Sequence, residues 1–224
     1  MFGRQVFALL LKDLRTEWRT REIFTSMFVF AVLVVVVFNF AIGSNPDSIR
    51  QVAPGILWVA LLFSTVLGLQ RSVQMEIEED CLQGLLLAMG DRSVLFVAKT
   101  VANMIYLLVV AACTLPLFSI WFRLEIWASL AGLGVILFLG MLGFSAVGTF
   151  FSMLAVNART RDAMLPLLFL PVSVPLTIGS VYATADLIAG KTLSDITSWL
   201  TLIGVFDIVF VALALLVFDY IVEE

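Results

Sequence analysis

The sequence predicts an all-α integral membrane protein with six transmembrane helices, preceded by an N-terminal amphipathic helix that lies at the membrane interface. Of the 224 residues, 62% are hydrophobic and only 13% are charged, and the mean hydropathy is +1.09. Soluble domains are about 45–50% apolar and about 25% charged, so this chain could not hide its apolar surface from water. There are six long apolar stretches, which predict six transmembrane helices.

Each predicted span meets the length that a bilayer requires, which is about 20 apolar residues for about 30 Å of hydrocarbon. The first stretch, IFTSMFVFAVLVVVVFNFAI, carries no charge. The fourth is rich in small residues, and Gly148 with Ser152, or Ser145 with Thr149, would allow close contact with another helix. The spans, which form one membrane domain over residues 23–224, are predicted at about residues 23–42, 52–69, 94–118, 126–156, 164–183 and 199–222.

The distribution of basic residues predicts the orientation. Six spans put both termini on one side, and ten of the 13 Lys and Arg residues fall on that side. The positive-inside rule therefore places both termini in the cytoplasm. The connection between spans two and three, residues 70–93, lies on the same cytoplasmic side.

Residues 1–22 have the pattern of an amphipathic helix. Phe2, Val6, Leu10, Leu14 and Trp18 recur every four residues, and charged residues fill the other faces. This pattern predicts an interfacial helix on the inner leaflet; a solvated helix that packs its apolar stripe on the protein is the alternative. The charges and the full-length span that follows exclude a cleavable signal peptide.

The cytoplasmic segment QRSVQMEIEEDCLQGLLLAMGDR, residues 70–92, combines an acidic cluster with apolar residues at helical spacing. Such a helix can pack its apolar face on a membrane domain or in a partner's groove, while its acids meet basic residues of the partner. We therefore predict a coupling element at residues 70–93; a solvated loop that only joins two spans is the alternative. Its candidate contact residues are Glu76, Glu78, Glu79, Asp80, Leu82, Gln83, Leu85 and Leu86.

Two features inside the spans are candidates for function. Asp207 lies within the sixth span, where a carboxylate is costly unless it faces the bundle, a cavity or a partner. Pro166, Pro171 and Pro175 each remove a backbone donor from the fifth span. This predicts a flexible or cavity-lining element, a re-entrant hairpin or a static kink.

The composition excludes several classes of function. There is no histidine, and the two cysteines, Cys81 and Cys113, lie in different segments, so a zinc site is not expected. The stretch ADLIAGKT resembles a phosphate-binding loop but lacks the strand and soluble domain that such a loop needs. The chain is predicted to be no enzyme, to bind no metal or cofactor itself and no nucleic acid, and to leave ATP to another polypeptide.

Three stretches resemble a known family. VAPGILWVALLFSTVLGLQR, EEDCLQGLLLA and LFLPVSVPLTIG, together with the order of amphipathic helix, six spans and cytoplasmic element, are similar to the haem exporter B (CcmB) family of ABC-2-type permeases. The resemblance covers essentially the whole chain, and the APGI and LP..VP segments are its most specific parts. These segments supply the candidate pathway or hinge residues, which with the acid of the sixth span are Pro54, Gly55, Pro171, Pro175 and Asp207.

The resemblance implies a membrane permease subunit in the cytochrome c maturation system of a bacterial inner membrane. It implies a cytoplasmic ATPase partner (CcmA-like), small membrane partners (CcmC-like and CcmD-like), a haem chaperone (CcmE-like) and a second copy of the chain. ATP hydrolysis in the partner would drive haem export or release of the loaded chaperone. The alternatives are an ABC-2 permease for another cargo and an ATP-independent secondary transporter that uses Asp207.

Overall fold

Seven α-helices account for most of the described chain. The computed structural model describes residues 2–42, 46–78, 93–155 and 161–221. Six of the helices, α2 to α7, are long and apolar enough to cross a membrane, which confirms the predicted all-α, six-span fold. The helices are α1 (Phe2–Thr20), α2 (Glu22–Ile42), α3 (Pro46–Glu78), α4 (Ser93–Phe122), α5 (Leu130–Ala155), α6 (Arg161–Ile188) and α7 (Thr197–Ile221).

The helix that contains the second span is longer than the predicted span. Helix α3 has 33 residues and continues without a break to Glu78, so residues 70–78 continue this helix and do not begin a separate amphipathic helix. The reason is local, because Gln70, Arg71, Met75 and Glu76 are all good helix formers and no proline or glycine interrupts them. Near the predicted start of the fourth span, residues 127–129 form a 3₁₀ turn, and α5 begins at Leu130.

Helices α3 and α5 form the centre of the bundle. Helix α5 packs against α3, α4, α6 and α7, and α3 packs against α2, α4, α5 and α6. The aromatic rings of Trp58, Phe144 and Phe169 form the middle of this core, with ring centroids 5.9 Å and 6.0 Å apart. Helices α2 and α7 lie at the periphery and keep one apolar face exposed, as expected for helices that face lipid or another subunit.

Contacts between helices establish which residues share a level in the membrane. Helix α2 is antiparallel to α3, since Arg71 Nε lies 3.0 Å from Glu22 Oε2. It is parallel to α4, since Asn39 Nδ2 donates to the Trp121 carbonyl oxygen at 2.8 Å. The last seven residues of α3 and the first ten or so of α4 therefore extend beyond the end of α2. At about 1.5 Å per residue, these extensions rise about 10–15 Å above the level of Glu22.

Helix α1 packs along the extension of α4. Leu9 is buried against Val94, Leu95 and Ala98, near the beginning of α4. The middle of the predicted apolar stripe, Val6, Leu10 and Leu14, is partly buried, whereas its two ends remain exposed, 44% at Phe2 and 80% at Trp18. The predicted helix is confirmed. The middle of its apolar stripe packs on the bundle, and the two ends of the stripe are exposed.

Candidate functional site

A buried ion pair joins α1 to α4. Lys99 Nζ lies 2.8 Å from Asp13 Oδ2, and the two side chains are only 7% and 12% exposed. Asp13 reaches Lys99 because it lies one turn after Leu9, whose packing places this face of α1 on α4. Since Lys99 lies on the part of α4 that extends past α2, the pair sits at the end of the bundle.

Glu17 connects the same face of α1 to the first turn of α2. Its carboxylate accepts hydrogen bonds from the backbone N–H groups of Phe24 at 2.8 Å and Ile23 at 3.4 Å. These are donors that the first turn of a helix cannot satisfy internally. The chain turns at Arg21, which has a φ of 55°, and this turn lets α1 cap the helix that follows it.

Burial raises the pKa of Glu17 above its ordinary value of 4.5, and Glu22 nearby raises it further, while the two backbone hydrogen bonds oppose these effects. The folded protein therefore binds this proton more tightly than the unfolded chain does. The contribution of Glu17 to stability is complete below its ordinary pKa and is lost as the pH rises through the raised value.

Glu17→Gln should remove this pH dependence. The Gln amide oxygen can still accept the N–H of Phe24, but the side chain cannot ionise, so the apparent melting temperature of the variant should fall less than that of the parent protein as the pH rises from 4.5 to 8. The parent protein should show the larger fall in melting temperature over the same range. Thermal unfolding in detergent measures this fall for both proteins, with Asp195→Asn as the control.

In the control, Asp195→Asn, the removed carboxyl group affects the pH dependence of stability in the opposite direction. Asp195 is exposed and its pKa is lowered by hydrogen bonds from Thr192, so its contribution to stability is lost as the pH falls. An identical pH dependence in the Gln variant and the parent protein would contradict the role of Glu17.

Polar side chains extend this cluster to α3 and α5. Asn103 Nδ2 donates to Thr149 Oγ1 at 2.9 Å, which joins α4 to α5 inside the bundle. A cavity of about 40 Å³ lies between the cluster and the end of α3, where Ser72 and Met75 line it. We call Asp13, Glu17, Lys99 and Asn103 the junction cluster, because it holds α1, α2, α4 and α5 together beside the end of α3.

The carboxyl group of Asp207 lies inside the bundle. The residue is 3% exposed, and its side chain lies where a Cβ atom on Gly143 of α5 would be placed, next to Leu176 of α6. Neither carboxyl oxygen has a hydrogen-bond partner among the residues that the structure describes. The predicted orientation of Asp207 toward the bundle is observed, and its role stays a prediction.

Trp58 lies on the central helix α3 and connects it to α5 and α6. Its Nε1 donates to Thr184 Oγ1 of α6 at 2.9 Å, and its ring stands edge-on to Phe144 of α5. The outer edge of the ring lies directly against Gly140 of α5, where no side chain fits. Because Trp58 is fully buried, a displacement of α3 at this level would have to move α5 and α6 as well.

The predicted pathway or hinge residues do not come together. Helix α6 continues through all three prolines, so a re-entrant hairpin is wrong. Pro171 and Pro175 are exposed on the outward face of α6, so they line no cavity within the described part of this chain, and their role as pathway or hinge residues stays a prediction. The reason for their orientation is the helical period, which places these prolines on the same side as exposed Leu167 and Val174. Pro54 is buried and Gly55 partly buried on α3.

The predicted coupling residues fall mostly outside the described part of the chain. Glu76 and Glu78 belong to the last turns of α3. The other candidate contact residues, which lie outside the described residues, are Glu79, Asp80, Leu82, Gln83, Leu85 and Leu86. Among the described residues, no group of three or more His, Cys, Asp or Glu side chains could hold a metal ion.

Comparison with known proteins identifies the family. The family described as CcmB protein matches residues 4–223, almost the whole chain. The chain belongs to the CcmB family. Three proteins named Heme exporter protein B, from Rhodobacter capsulatus, Pseudomonas aeruginosa and Escherichia coli, are 32%, 26% and 26% identical to it. The alignments cover 76%, 87% and 91% of this chain and 78%, 87% and 89% of the relatives.

The sequence alone does not reveal the junction cluster of this CcmB-family chain. Lys99 lies near the start of a predicted span, and Asp13 and Glu17 lie on faces of α1 outside its apolar stripe. A lysine six residues into an apolar stretch does signal a buried partner. The sequence could not show which acid, because the partner lies 86 positions earlier in the chain.

Proposed function

We propose that this CcmB-family chain is the membrane permease subunit of an ABC-type haem exporter that serves cytochrome c maturation in a bacterial inner membrane. The structural observation that supports this is the unbroken helix α3. It runs from the core around Trp58 to Glu78, which lies within the predicted coupling element at residues 70–93. A single helix of this kind can carry a displacement from a cytoplasmic ATPase into the membrane domain.

The contacts of α3 allow it to act as a lever, that is, as a rigid helix that transmits a displacement from its end at Glu78 into the bundle. About 50 Å long at 1.5 Å per residue, it is held at one level by the ion pair of Arg71 with Glu22. It is held more deeply by Ser64, whose Oγ donates to the Met27 carbonyl oxygen at 3.0 Å. A force on the end at Glu78 would reach Trp58, and through it α5 and α6. The junction cluster lies beside the same end and would hold α1 and α4 in place.

The proposed complex contains a CcmA-like ATPase, CcmC-like and CcmD-like membrane proteins, a CcmE-like haem chaperone and a second copy of this chain. Both termini and the coupling element would face the cytoplasm, where the ATPase binds ATP. Haem is the proposed cargo. Because the chain has no histidine, it cannot supply the usual axial ligand, which favours a conformational role or a transient path over a stable haem site.

One observation favours a second function. Asp207 is buried without a hydrogen-bond partner among the described residues, and intramembrane carboxyl groups mark ion and proton pathways. An ATP-independent transporter that uses Asp207 would not depend on a partner ATPase. An ABC permease for another cargo would leave c-type cytochromes unchanged when it is lost.

Deletion of the gene separates these functions. Membrane proteins would be stained for covalently bound haem, with total b-type haem measured in the same cells and a complemented strain as the control. Loss of c-type haem with b-type haem intact, restored by complementation, is the expected result. Normal c-type cytochromes in a strain with no second copy of the gene would exclude the maturation role.

Charge reversal tests the coupling element. The triple variant Glu78→Lys, Glu79→Lys, Asp80→Lys should lower copurification with the ATPase by about tenfold or more, because like charges then face each other across the contact. The control is Glu125→Lys with Asp186→Lys, which reverses one acid after α4 and one in the last turn of α6, both at the opposite end of the bundle. Equal copurification of the triple variant and the control would contradict the coupling assignment.

A further inference from the structure

An apolar groove lies where α1, α2 and α4 meet. Its cavity volume is about 480 Å³, within the range of about 300–1,000 Å³ that is typical of small-molecule sites. Trp18 at one end is 80% exposed and Val109 at the other is 46% exposed, so the groove opens at the outside of the bundle. The residues that line it include Glu17, Trp18, Arg21, Phe24, Ile105 and Val109.

The groove crosses the level at which the membrane ends. Arg21 is the residue just before α2, so it lies at the beginning of the first span. Phe24 is one turn inside that span, and Val109 lies further along α4, in the same direction because the two helices are parallel. One end of the groove is therefore at the level of lipid headgroups, and the other is in the hydrocarbon.

The charges at the headgroup end favour an anion. Both carboxylate oxygens of Glu17 are engaged by the backbone of α2, whereas Arg21 is exposed and has no ion pair within the described ranges. Arg15 and Arg19, near the same end of α1, are exposed as well. An exposed tryptophan beside arginines is characteristic of a membrane–water interface.

We propose that this groove binds one anionic phospholipid, with an acyl chain along Phe24, Ile105 and Val109 and the phosphate at Arg21. A phospholipid is the occupant that the positions require, because it is the one abundant anion whose charge and apolar tail span this boundary. The bound lipid would fill the space between α1 and α4 and hold α1 against the bundle. The site is independent of the cargo of the permease.

Native mass spectrometry of the purified full-length chain, released from detergent after addition of dioleoylphosphatidylglycerol or dioleoylphosphatidylcholine, tests the site. Arg21→Asn removes the cation and keeps a residue that tolerates positive φ. Arg123→Asn is its matched control, because Arg123 has a similar φ of 52°. Val109→Trp fills the apolar end, and Val135→Trp is its control, at a valine that is 43% exposed elsewhere.

The parent protein and both controls should retain one phosphatidylglycerol in preference to phosphatidylcholine. Arg21→Asn should reduce this retention about fivefold, which matches the contribution of one basic residue near an anionic lipid surface, and Val109→Trp should abolish it. The apparent melting temperature of each variant verifies that it is folded. Equal retention of the two lipids, unchanged retention in either groove variant, or binding of only detergent or haemin in the groove would overturn the proposal.

Discussion

Lys99→Ala should destabilise the protein by about 3–5 kcal/mol, the usual cost of breaking a buried ion pair. The substitution leaves the Asp13 carboxylate at the junction of α1 and α4 without its cation, where its side chain is only 12% exposed. We expect a lower yield in detergent, a large fall in the apparent melting temperature, and faster proteolysis of α1. Measurements of thermal unfolding and limited proteolysis verify the three effects.

Two further variants distinguish the effect of burial on stability from the effect of charge. Lys191 makes an ion pair with Asp186 at the same distance of 2.8 Å, but its side chain is 52% exposed, so Lys191→Ala should cost about 0.2–1 kcal/mol. The double variant Asp13→Leu, Lys99→Met removes both charges and should recover most of the stability lost by Lys99→Ala. Equal losses for Lys99→Ala and Lys191→Ala would show that the junction pair contributes no more than a surface pair.

The six spans could be predicted from the sequence because the bilayer imposes their length and composition. Glu22–Ile42 agrees with the predicted span 23–42 to within a residue, since charged or polar residues flank a run without charges. The ends of α3 and α4 could not be predicted in the same way. A helix can leave the bilayer and continue, and hydropathy then records where the membrane ends, while the backbone hydrogen bonds of α3 run on to Glu78.

The sequence predicts features of the candidate site only where the chemistry of a single residue restricts its position. Lipid excludes an unpaired carboxylate, which predicts that Asp207 faces the bundle, a cavity or a partner, and the residue is buried. The outward orientation of Pro171 and Pro175 could not be predicted, because proline changes a helix without specifying which way the residue faces. The junction cluster was missed because Asp13, Glu17 and Lys99 meet only when α1 packs on α4, and spacing along the chain does not encode that contact.

Gly140→Ala should be strongly destabilising, although it adds one methyl group. The new Cβ would overlap the outer edge of the Trp58 ring and lie 3.2 Å from Ser180 Oγ. The ring has no room to retreat, because its Nε1 donates a hydrogen bond to Thr184 and the ring meets Phe144 in an edge-to-face contact. Overpacking of this kind costs about 1–3 kcal/mol, and the larger Gly140→Val should prevent stable folding.

Gly134→Ala is the matched control, because Gly134 lies in the same helix and a Cβ there would meet nothing within 4 Å. Replacing glycine by alanine in an open helical position stabilises by up to about 1 kcal/mol, so the two variants should shift the apparent melting temperature in opposite directions. If Gly140→Ala also raised it, the ring of Trp58 would be able to move aside. Helix α3 would then slide past α5 at little cost, and the lever that the proposed function requires would have no fixed contact inside the membrane.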